Sequence, residues 1–410
     1  MVRGWEAFRA LRYRDFFWFW SSYFVSNVGS WMQSVAQGWL LFELTNSPLY
    51  LGLFSLLRTV MLLSFFLLGG LIADRWDRRK VMMWIQSVSM LTALALAVLT
   101  SLGLIQVWHI FILGALTSTA WAFEQPVRQS LIPQLVSRED LVNALALSAI
   151  IWHGAGLLGP SLVGFSVEYI GISGCFYVNA VSYLAVIGAL ARMRIPPHRW
   201  EGAKMRMTAS LLDGFSYMRQ EKLILTLLIG SSLFSIFGRS YITLLPVFAK
   251  DVLRVGASGL GFIAAAPGLG TIIGSLSLAA LGRVKVDKRV LVILLLGCAG
   301  ALFIFAASEH FATAFVMLVM VGGLTTEFDT LLNTLIQLAV TDAYRGRVMG
   351  VYGITASGMR EFGGMQAGFL AEWSSAPFAL EVGAVVVAAV ALFFLRPQLR
   401  RLREGEPRLT

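Results

Sequence analysis

Four carboxylic acids that lie inside long apolar runs of this sequence could do chemistry, because charged side chains are rare in such runs. They are Glu124, Glu327, Asp329 and Glu361. Burial favours the neutral form of a carboxyl group and a nearby arginine favours its ionised form, so an acid in such surroundings can take up and release a proton. Ionisable residues at bilayer depth are costly and mark functional sites by default. The chemistry predicted for this group is reversible protonation.

Glu327 and Asp329 are two positions apart in the segment GGLTTEFDTLLN. On a helix two such side chains diverge by roughly 200°, so they cannot both face one cavity squarely. Either acid is a candidate proton site, and the sequence does not choose between them. The alternative is a static ion pair, with Arg239 or Arg360 as the partner, that only fixes helix packing.

The composition requires a membrane environment for these acids. The chain has 410 residues, of which 57% are hydrophobic and 14% charged, with 28 Phe and 12 Trp. Apolar runs of about 20 residues match the thickness of the hydrocarbon core. We therefore predict an all-α polytopic membrane protein with twelve transmembrane spans, at 16–42, 48–73, 81–103, 107–127, 141–166, 173–192, 222–248, 256–281, 289–308, 311–333, 347–371 and 376–395.

The basic residues fix the expected orientation of these spans. If both ends of the chain lie on one side of the membrane, the loops on the other side carry only two basic residues, Lys250 and Arg254. Three further arginines, Arg58, Arg239 and Arg360, fall within spans. The remaining Lys and Arg residues, including Arg128 and Arg138 assigned to the loop after span 4, fall on the side of the termini. This asymmetry follows the positive-inside rule, so both termini are expected in the cytoplasm. The net charge of +10 then faces anionic lipid and leaves no basic groove for nucleic acid.

Several functional classes lack their motifs. The two cysteines, Cys175 and Cys298, lie in apolar runs without metal-ligand spacing, and the four histidines are scattered. There is no H-E-x-x-H, G-x-S-x-G or G-x-x-x-x-G-K-[ST] segment. We therefore expect no metal, no cofactor and no enzymatic activity. A receptor would need a sensing domain, and the loops are too short for one.

The chain contains an internal repeat. RQSLIPQLVSRE (128–139) is similar to NTLIQLAVTDA (333–343), and SPLYLGLF (47–54) is similar to GASGLGFI (256–263), which aligns Gly52 with Gly261. The predicted organisation is an N-terminal six-helix bundle (1–192), a cytoplasmic loop with a short amphipathic helix (193–221), a C-terminal six-helix bundle (222–396) and a basic cytoplasmic tail (397–410).

Particular motifs resemble those of the major facilitator superfamily. The segments FRALRYRDFFWFW, LIADRWDRRK, PVRQSLIPQLVSREDLVNA, LLPVFAKDVL and RGRVMGVY are similar to the bacterial efflux branch that holds the enterobactin exporter and the macrolide efflux permeases. The resemblance implies a multi-pass protein of the bacterial inner membrane, a monomer, that exports an amphipathic drug, macrolide or siderophore-like molecule. It also implies proton-coupled alternating access as the mechanism. Alternatives of the same fold are a lipid or lysolipid flippase and an importer, and a receptor or intramembrane enzyme is the alternative of another class.

The same resemblance gives a role to the charged turn GGLIADRWDRRK. An acid there would face the cytoplasmic N-terminus of span 11 and latch the two halves, because a carboxylate is stabilised at a helix N-terminus. Asp77 stands where the superfamily motif has its second glycine, and an Asp can adopt a left-handed turn with modest strain. The latch residues implied are Asp74, Arg75, Arg78, Arg79 and Arg347.

In the superfamily fold, spans 1, 4, 7 and 10 line a central cavity. The candidates for proton coupling are the acids within the spans, Asp329, Glu327, Glu124 and Glu361. The substrate-cavity candidates are Asn27, Gln33, Gln37, Arg58, Trp121, Arg239, Asn333 and Arg360. Span 5 resembles part of the glycine–proline motif of drug–proton antiporters, at Gly156, Gly159, Pro160 and Gly164. Small residues there would also serve ordinary close helix packing, and Pro160 would permit bending.

Overall fold

A computed structural model describes residues 6–193, 217–281 and 288–394. Within these ranges the side chains of residues 6, 7, 66–75, 288, 343, 354 and 357 lie outside the description. The described chain is almost entirely helical and contains no strand. Most of the predicted loop helix in 193–221 falls outside the described residues.

The helices follow the predicted spans, with several differences at their ends. They are α1 (Arg14–Thr45), α2 (Pro48–Arg75), α3 (Arg78–Ser101), α4 (Val107–Leu135), α5 (Leu141–Arg192), α6 (Lys222–Gly238), α7 (Tyr241–Val247), α8 (Gly256–Leu281), α9 (Lys288–Ala306), α10 (Phe311–Ala339), α11 (Asp342–Gly353), α12 (Met359–Trp373) and α13 (Ala376–Phe394). A 3-10 helix (Glu6–Arg12) precedes α1.

Spans 5 and 6 both lie in α5, which is interrupted at Gly171. This residue has φ +65° and ψ −178°, a conformation that glycine adopts without a steric penalty. The limb before Gly171 contacts α1 near residue 20 and then near residue 31, whereas the limb after it contacts α1 near residue 33 and then near residue 16. The two limbs therefore run in opposite directions along α1, as two separate spans do.

Spans 7 and 11 are interrupted as well. Span 7 comprises α6 and α7, separated at Arg239 (φ −113°, ψ 0°), and ends in a π-helix, Phe248–Val252. Span 11 comprises α11 and α12, joined by a second π-helix, Ile354–Gly358. π-Helical turns inside α-helices are frequent at functional sites because they leave carbonyl groups without their regular partners.

Eight helical segments of the described chain are long and apolar enough to cross a membrane, with the two limbs of α5 counted as one. The predicted spans 1, 4 and 11 do not pass this test of apolarity, although each is present as helix in α1, α4 and α11–α12. These three segments carry many of the predicted polar site residues.

Within the described chain, contacts define two compact units. The first comprises Met1–Tyr50, Leu56–Gly202 and Arg254–Ala265, and the second comprises Leu51–Ser55, Ala203–Leu253 and Ala266–Thr410. Each unit thus contains a short segment from the other predicted six-helix half. A buried cluster in the first unit joins α1, α3, α4 and both limbs of α5, including Phe16, Met82, Leu131 and Leu190.

The two glycines aligned by the internal repeat make equivalent contacts. A Cβ added to Gly52 in α2 would lie 3.1 Å from the Gly364 carbonyl of α12, and a Cβ added to Gly261 in α8 would lie 2.1 Å from the Gly164 nitrogen of α5. Each glycine thus permits backbone-to-backbone approach of a neighbouring span. Span 2, the second span of the first repeat, contacts span 11, the fifth span of the second repeat. Span 8, the second span of the second repeat, contacts span 5, the fifth span of the first. A two-fold repeat requires such a reciprocal pair of contacts.

Candidate functional site

Glu124 lies in α4 inside the first unit. The Tyr23 hydroxyl of α1 donates a hydrogen bond to Glu124 Oε1. Both residues are buried, with exposed fractions of 2% for Tyr23 and 7% for Glu124. Among the described residues no cation lies within ion-pair distance of this carboxylate. Its fixed partner is therefore a neutral donor, which can serve either the ionised or the protonated carboxyl group.

Arg128 lies one turn further along α4 and is 6% exposed. Its guanidinium carbon is 5.4 Å from the centre of the Tyr23 ring and 5.5 Å from the Trp152 ring of α5. These are cation–π distances. The assignment of Arg128 to a loop was wrong, because α4 continues to Leu135 and buries this residue. The side of the membrane on which it lies stays a prediction. The i, i+4 spacing of Glu124 and Arg128 was the signal in the sequence that could have placed both on one helix face.

Asp329 of α10 lies in the second unit and forms an ion pair with Arg239 Nη2. Arg239 occupies the break between α6 and α7, and its Nη1 donates to the Ala356 carbonyl at 2.9 Å. Ala356 belongs to the π-helix of span 11. The Tyr352 hydroxyl donates to the Asp329 carbonyl at 3.3 Å. The ion pair therefore lies where both broken spans meet α10.

Glu327 lies on a different side of α10 from Asp329. Its carboxylate accepts a hydrogen bond from Ser277 of α8 at 2.6 Å. The same side of α10 approaches α8 closely, since a Cβ added to Gly322 would lie 2.1 Å from the Pro267 carbonyl. Glu327 thus faces a helix–helix contact, and Asp329 faces Arg239.

Glu361 of α12 is held by two partners. Its Oε1 accepts from Arg360 Nη2 at 2.8 Å, and its Oε2 accepts from the Ser55 hydroxyl of α2 at 2.8 Å. The exposed fractions of the side chains are 35% for Arg360 and 14% for Glu361. Arg360 therefore pairs with its neighbour in the chain, and Arg239 is the arginine that pairs with Asp329.

The remaining cavity candidates differ in their surroundings. Gln33 accepts from Asn179 Nδ2 at 2.7 Å, and both side chains are buried. Gln37 is buried, and its Nε2 has no hydrogen-bond partner among the described residues. Of the other candidates, Asn27 is buried. The half-buried ones are Arg58, Trp121 and Asn333.

The predicted latch lies only partly within the description, because the side chains of Asp74 and Arg75 fall outside it. Arg78 Nη1 donates to the Ser130 carbonyl of α4 at 3.1 Å, and Arg79 Nη2 donates to the Ala191 carbonyl of α5 at 2.6 Å. The guanidinium of Arg347 lies 5.3 Å from the centre of the Tyr344 ring.

Asp77 in the same turn is not left-handed. Its φ is −60°, and its carboxylate accepts from the backbone N–H groups of Arg79 at 2.9 Å and Lys80 at 3.3 Å. Asp77 is therefore the N-cap of α3, where a carboxylate satisfies backbone donors and is favoured by the helix dipole. The sequence interpretation, which considered only left-handed strain, missed this role.

The glycines of span 5 face two neighbours. A Cβ added to Gly159 would lie 2.6 Å from the Val28 carbonyl of α1, and Gly156 lies beside the Trp31 ring. Gly164 and Pro160 lie against Gly261 of α8. The motif thus permits close packing on both sides of α5.

No group of three or more potential metal ligands occurs among the described residues. Each unit holds a carboxylate on its fourth span: Glu124 bonded to a tyrosine and Asp329 paired with an arginine.

Comparison with known proteins identifies relatives of this chain. The model of a family described as transmembrane secretion effectors matches residues 5–408. The staphyloferrin A transporter of Staphylococcus aureus is 25% identical over 342 residues, which cover 82% of this chain and 84% of the relative. The enterobactin exporter EntS of Shigella boydii is 24% identical over 395 residues, which cover 94% and 93% of the two chains.

Solved structures share the fold. A variant of the nucleoside transporter NupG has a TM-score of 0.76 at 16% identity and covers 93% of this chain and 99% of its own. A bacterial homologue of the human lysosomal transporter Spinster has a TM-score of 0.70 at 13% identity and covers 95% of each chain. With a family match over nearly the whole sequence and this fold, the chain is a multi-pass membrane transporter that belongs to the transmembrane secretion effector family of the major facilitator superfamily.

Proposed function

We propose that this transporter exports an amphipathic organic molecule, of the drug, macrolide or siderophore-like class, in exchange for protons. Two relatives with named substrates are a staphyloferrin A transporter and an enterobactin exporter. At about 25% identity this likeness supports the class of small organic molecule and does not select one substrate. A lysolipid flippase and an importer of the same fold are the competing functions.

The observation that carries proton coupling is the pair of carboxylates on the fourth span of each repeat. The repeat aligns Leu131 with Leu335, a shift of 204 residues, and this shift places Glu124 at position 328, between Glu327 and Asp329. Glu124 and Asp329 each accept a hydrogen bond from the first span of their own repeat, through Tyr23 in one unit and Arg239 in the other. A carboxylate that alternates between an internal partner and a proton can link protonation to a change in helix contacts.

Asp329 is the preferred site in the second unit. Its side chain is 34% exposed and its partner is the arginine at the break of span 7, so protonation would release Arg239 from α10. Glu327 is bonded to a serine at a tight helix contact, and Glu361 is bonded to both Arg360 and Ser55. These two acids are assigned to helix packing.

The latch at the turn after α2 remains part of the proposal. Arg78 and Arg79 each bond a backbone carbonyl of a neighbouring helix, and this supports a turn that is tied to α4 and α5. We expect Asp74→Asn to reduce transport without loss of membrane insertion. Full transport activity in that variant would remove the latch from the mechanism.

We also propose that both termini and the loop around residues 194–210 lie in the cytoplasm, because the basic residues concentrate there. A reporter that is active only in the cytoplasm should be active when it is fused at this loop, and a reporter that is active only outside the cytoplasm should be inactive there. The opposite result would reverse the predicted orientation and with it the direction of transport.

Reconstitution into liposomes tests the function directly. A proton exchanger should accumulate its substrate when the lumen is acidic, whereas a proton symporter should do so when the medium is acidic. Siderophores, macrolides and lysolipids are screened under both gradients. Accumulation into an acidic lumen supports export by exchange, the opposite sign supports an importer, and gradient-independent transfer of lysolipid supports a flippase.

A further inference from the structure

Arg128 is a buried guanidinium, and no carboxylate of the described residues lies within ion-pair distance of it. An arginine side chain stays protonated in proteins. Only one of its hydrogen bonds is formed within the described chain, from Nη2 to Gln125 Oε1 at 2.6 Å. The Nε–H is buried and has no acceptor in the part of the chain that the structure describes. None of the ion pairs formed by described residues includes Arg128.

Such a residue is unusual, because buried charges are normally paired and fully hydrogen-bonded. Arg239 in the second unit is paired, with a carboxylate and a backbone carbonyl as acceptors, although its Nε–H has no acceptor among the described residues either. Arg128 has only a neutral amide oxygen. The difference points to an acceptor that is supplied by a bound molecule.

Glu124 is not an ion-pair partner of Arg128. It lies one turn away on the same helix and interacts with Arg128 electrostatically, but it accepts a hydrogen bond from the Tyr23 hydroxyl and lies beyond ion-pair distance of the guanidinium. The Nε–H of Arg128, which has no acceptor among the described residues, is left for another anion.

The side chains around the Arg128 guanidinium are aromatic. The guanidinium lies over the rings of Tyr23 and Trp152, and Trp152 makes an edge contact with Trp121 at a centroid distance of 6.2 Å. Trp121, Trp152 and Gln125 are half-buried, whereas Arg128 is 6% exposed. A buried cation therefore lies beside flat aromatic rings that are partly exposed.

We propose that Arg128, together with Trp121 and Trp152, binds the carboxylate of an aromatic organic acid. The planar fork of a guanidinium matches the two oxygens of a carboxylate, and the indole rings provide surfaces on which an aromatic body can stack. This inference rests on the proposed function in one respect: the bound acid is the transported substrate or a fragment of it. It narrows the substrate class from amphipathic molecules to anionic ones.

Two probes of the same shape separate charge recognition from simple hydrophobic binding. 2-Naphthoate carries the carboxylate, and 2-naphthamide is its neutral counterpart. Purified protein in detergent is titrated with each probe, and unfolding on heating is followed with a thiol-reactive fluorogenic dye. The dye suits this chain because Cys175 and Cys298 are free and buried in the folded state. A ligand that binds only the folded protein raises the unfolding midpoint as its concentration rises.

In the wild type, naphthoate should raise the midpoint at concentrations at least tenfold below those needed with naphthamide. Arg128→Gln should abolish this preference, and its midpoint without ligand should equal or exceed that of the wild type, because the variant removes an unpaired buried charge. A merely structural arginine would instead lower the ligand-free midpoint when replaced. The matched control is Arg138→Gln, which removes an exposed arginine after α4 and should leave the preference intact.

Equal responses of the wild type to both probes would overturn the proposal, as would a preference for naphthoate that survives in Arg128→Gln. If that variant does not fold, Arg128→Lys replaces it, since lysine keeps the charge and loses the planar fork. Weaker naphthoate binding in Arg128→Lys would support the site, and unchanged binding would contradict it. The assay involves no pH gradient and no transport, so its result is independent of whether export is driven by protons.

Discussion

The ion pair between Arg239 and Asp329 should respond unequally to loss of its two members. Asp329→Asn leaves the Arg239 side chain, which is 14% exposed, with the Ala356 carbonyl as its remaining described acceptor at 2.9 Å. Breaking a fully buried pair costs about 3–5 kcal/mol. Because the Asp329 side chain is 34% exposed and water already screens it, we expect a cost of about 2–3 kcal/mol here.

Arg239→Gln should cost less, because the carboxylate left behind is partly exposed and can neutralise itself by taking up a proton. We expect about 1–2 kcal/mol for this change. The double variant should be less destabilised than the sum of the two single changes by about 0.5–3 kcal/mol, since the second substitution removes the charge stranded by the first.

Thermal unfolding of the purified variants measures these differences. For a chain of this length each kcal/mol of lost stability lowers the unfolding midpoint by about 1–2 °C. The wild type should have the highest midpoint, Arg239→Gln a lower one and Asp329→Asn the lowest. Arg345→Gln is the control, because its partner Asp342 is 88% exposed and the pair at 2.7 Å is of the surface kind. Its effect should stay below about 1 kcal/mol. Additive effects at Arg239 and Asp329, or the reverse order, would refute the reasoning.

Three further changes test the packing. Gly261→Ala should destabilise the protein by about 1–3 kcal/mol in the same thermal assay, because the added Cβ would lie 2.1 Å from a backbone nitrogen. Gly300→Ala is the control and should be neutral or slightly stabilising, because the space around this glycine is open. Asp77→Ala should cost about 1 kcal/mol through loss of the α3 cap, and Asp77→Asn should retain most of it; an equal loss in both would contradict the cap. Asp140→Ala should speed tryptic cleavage near the N-terminus, because Arg9 loses its 3.0 Å contact to the buried Asp140 carboxylate; unchanged cleavage would show that this contact does not anchor the segment.

The helical membrane fold was predictable from the sequence because it depends on long apolar runs and on the distribution of basic residues. The structure confirms the all-helical class, and the solved relatives have the transporter fold. The count of twelve spans stays a prediction. Three of these spans are too polar for a test by apolarity alone, and the two limbs of α5 are separated by a single glycine conformation.

The end of α4 was misjudged for a physical reason. Pro126 and the charged residue at position 128 suggest that a span ends there, because proline removes a backbone hydrogen bond and arginine avoids lipid. In the structure α4 continues to Leu135 through Pro126 and Pro133. Leu131 and Ile132 are buried in the first unit, and this tertiary packing offsets the lost hydrogen bonds. The same extension buries Arg128 and produces the site proposed for an aromatic acid.

The partners of the buried acids could be narrowed from the sequence but not assigned. The sequence left two possible ion-pair partners for Asp329, which were Arg239 and Arg360. The choice between them depends on the break between α6 and α7, which places Arg239 beside α10. The partner of Glu124 is a tyrosine from α1. No local pattern predicts that contact, because it depends on how α1 packs against α4.

The most direct test of the central claim is the dependence of substrate accumulation on the pH gradient in proteoliposomes. Each coupled proton contributes about 1.4 kcal/mol per pH unit, which is a tenfold change in the accumulation ratio. The account predicts that Glu124→Gln and Asp329→Asn each lower this dependence, and that the double variant exchanges substrate across the membrane without any response to the gradient. A double variant that still accumulates substrate as steeply as the wild type would contradict it.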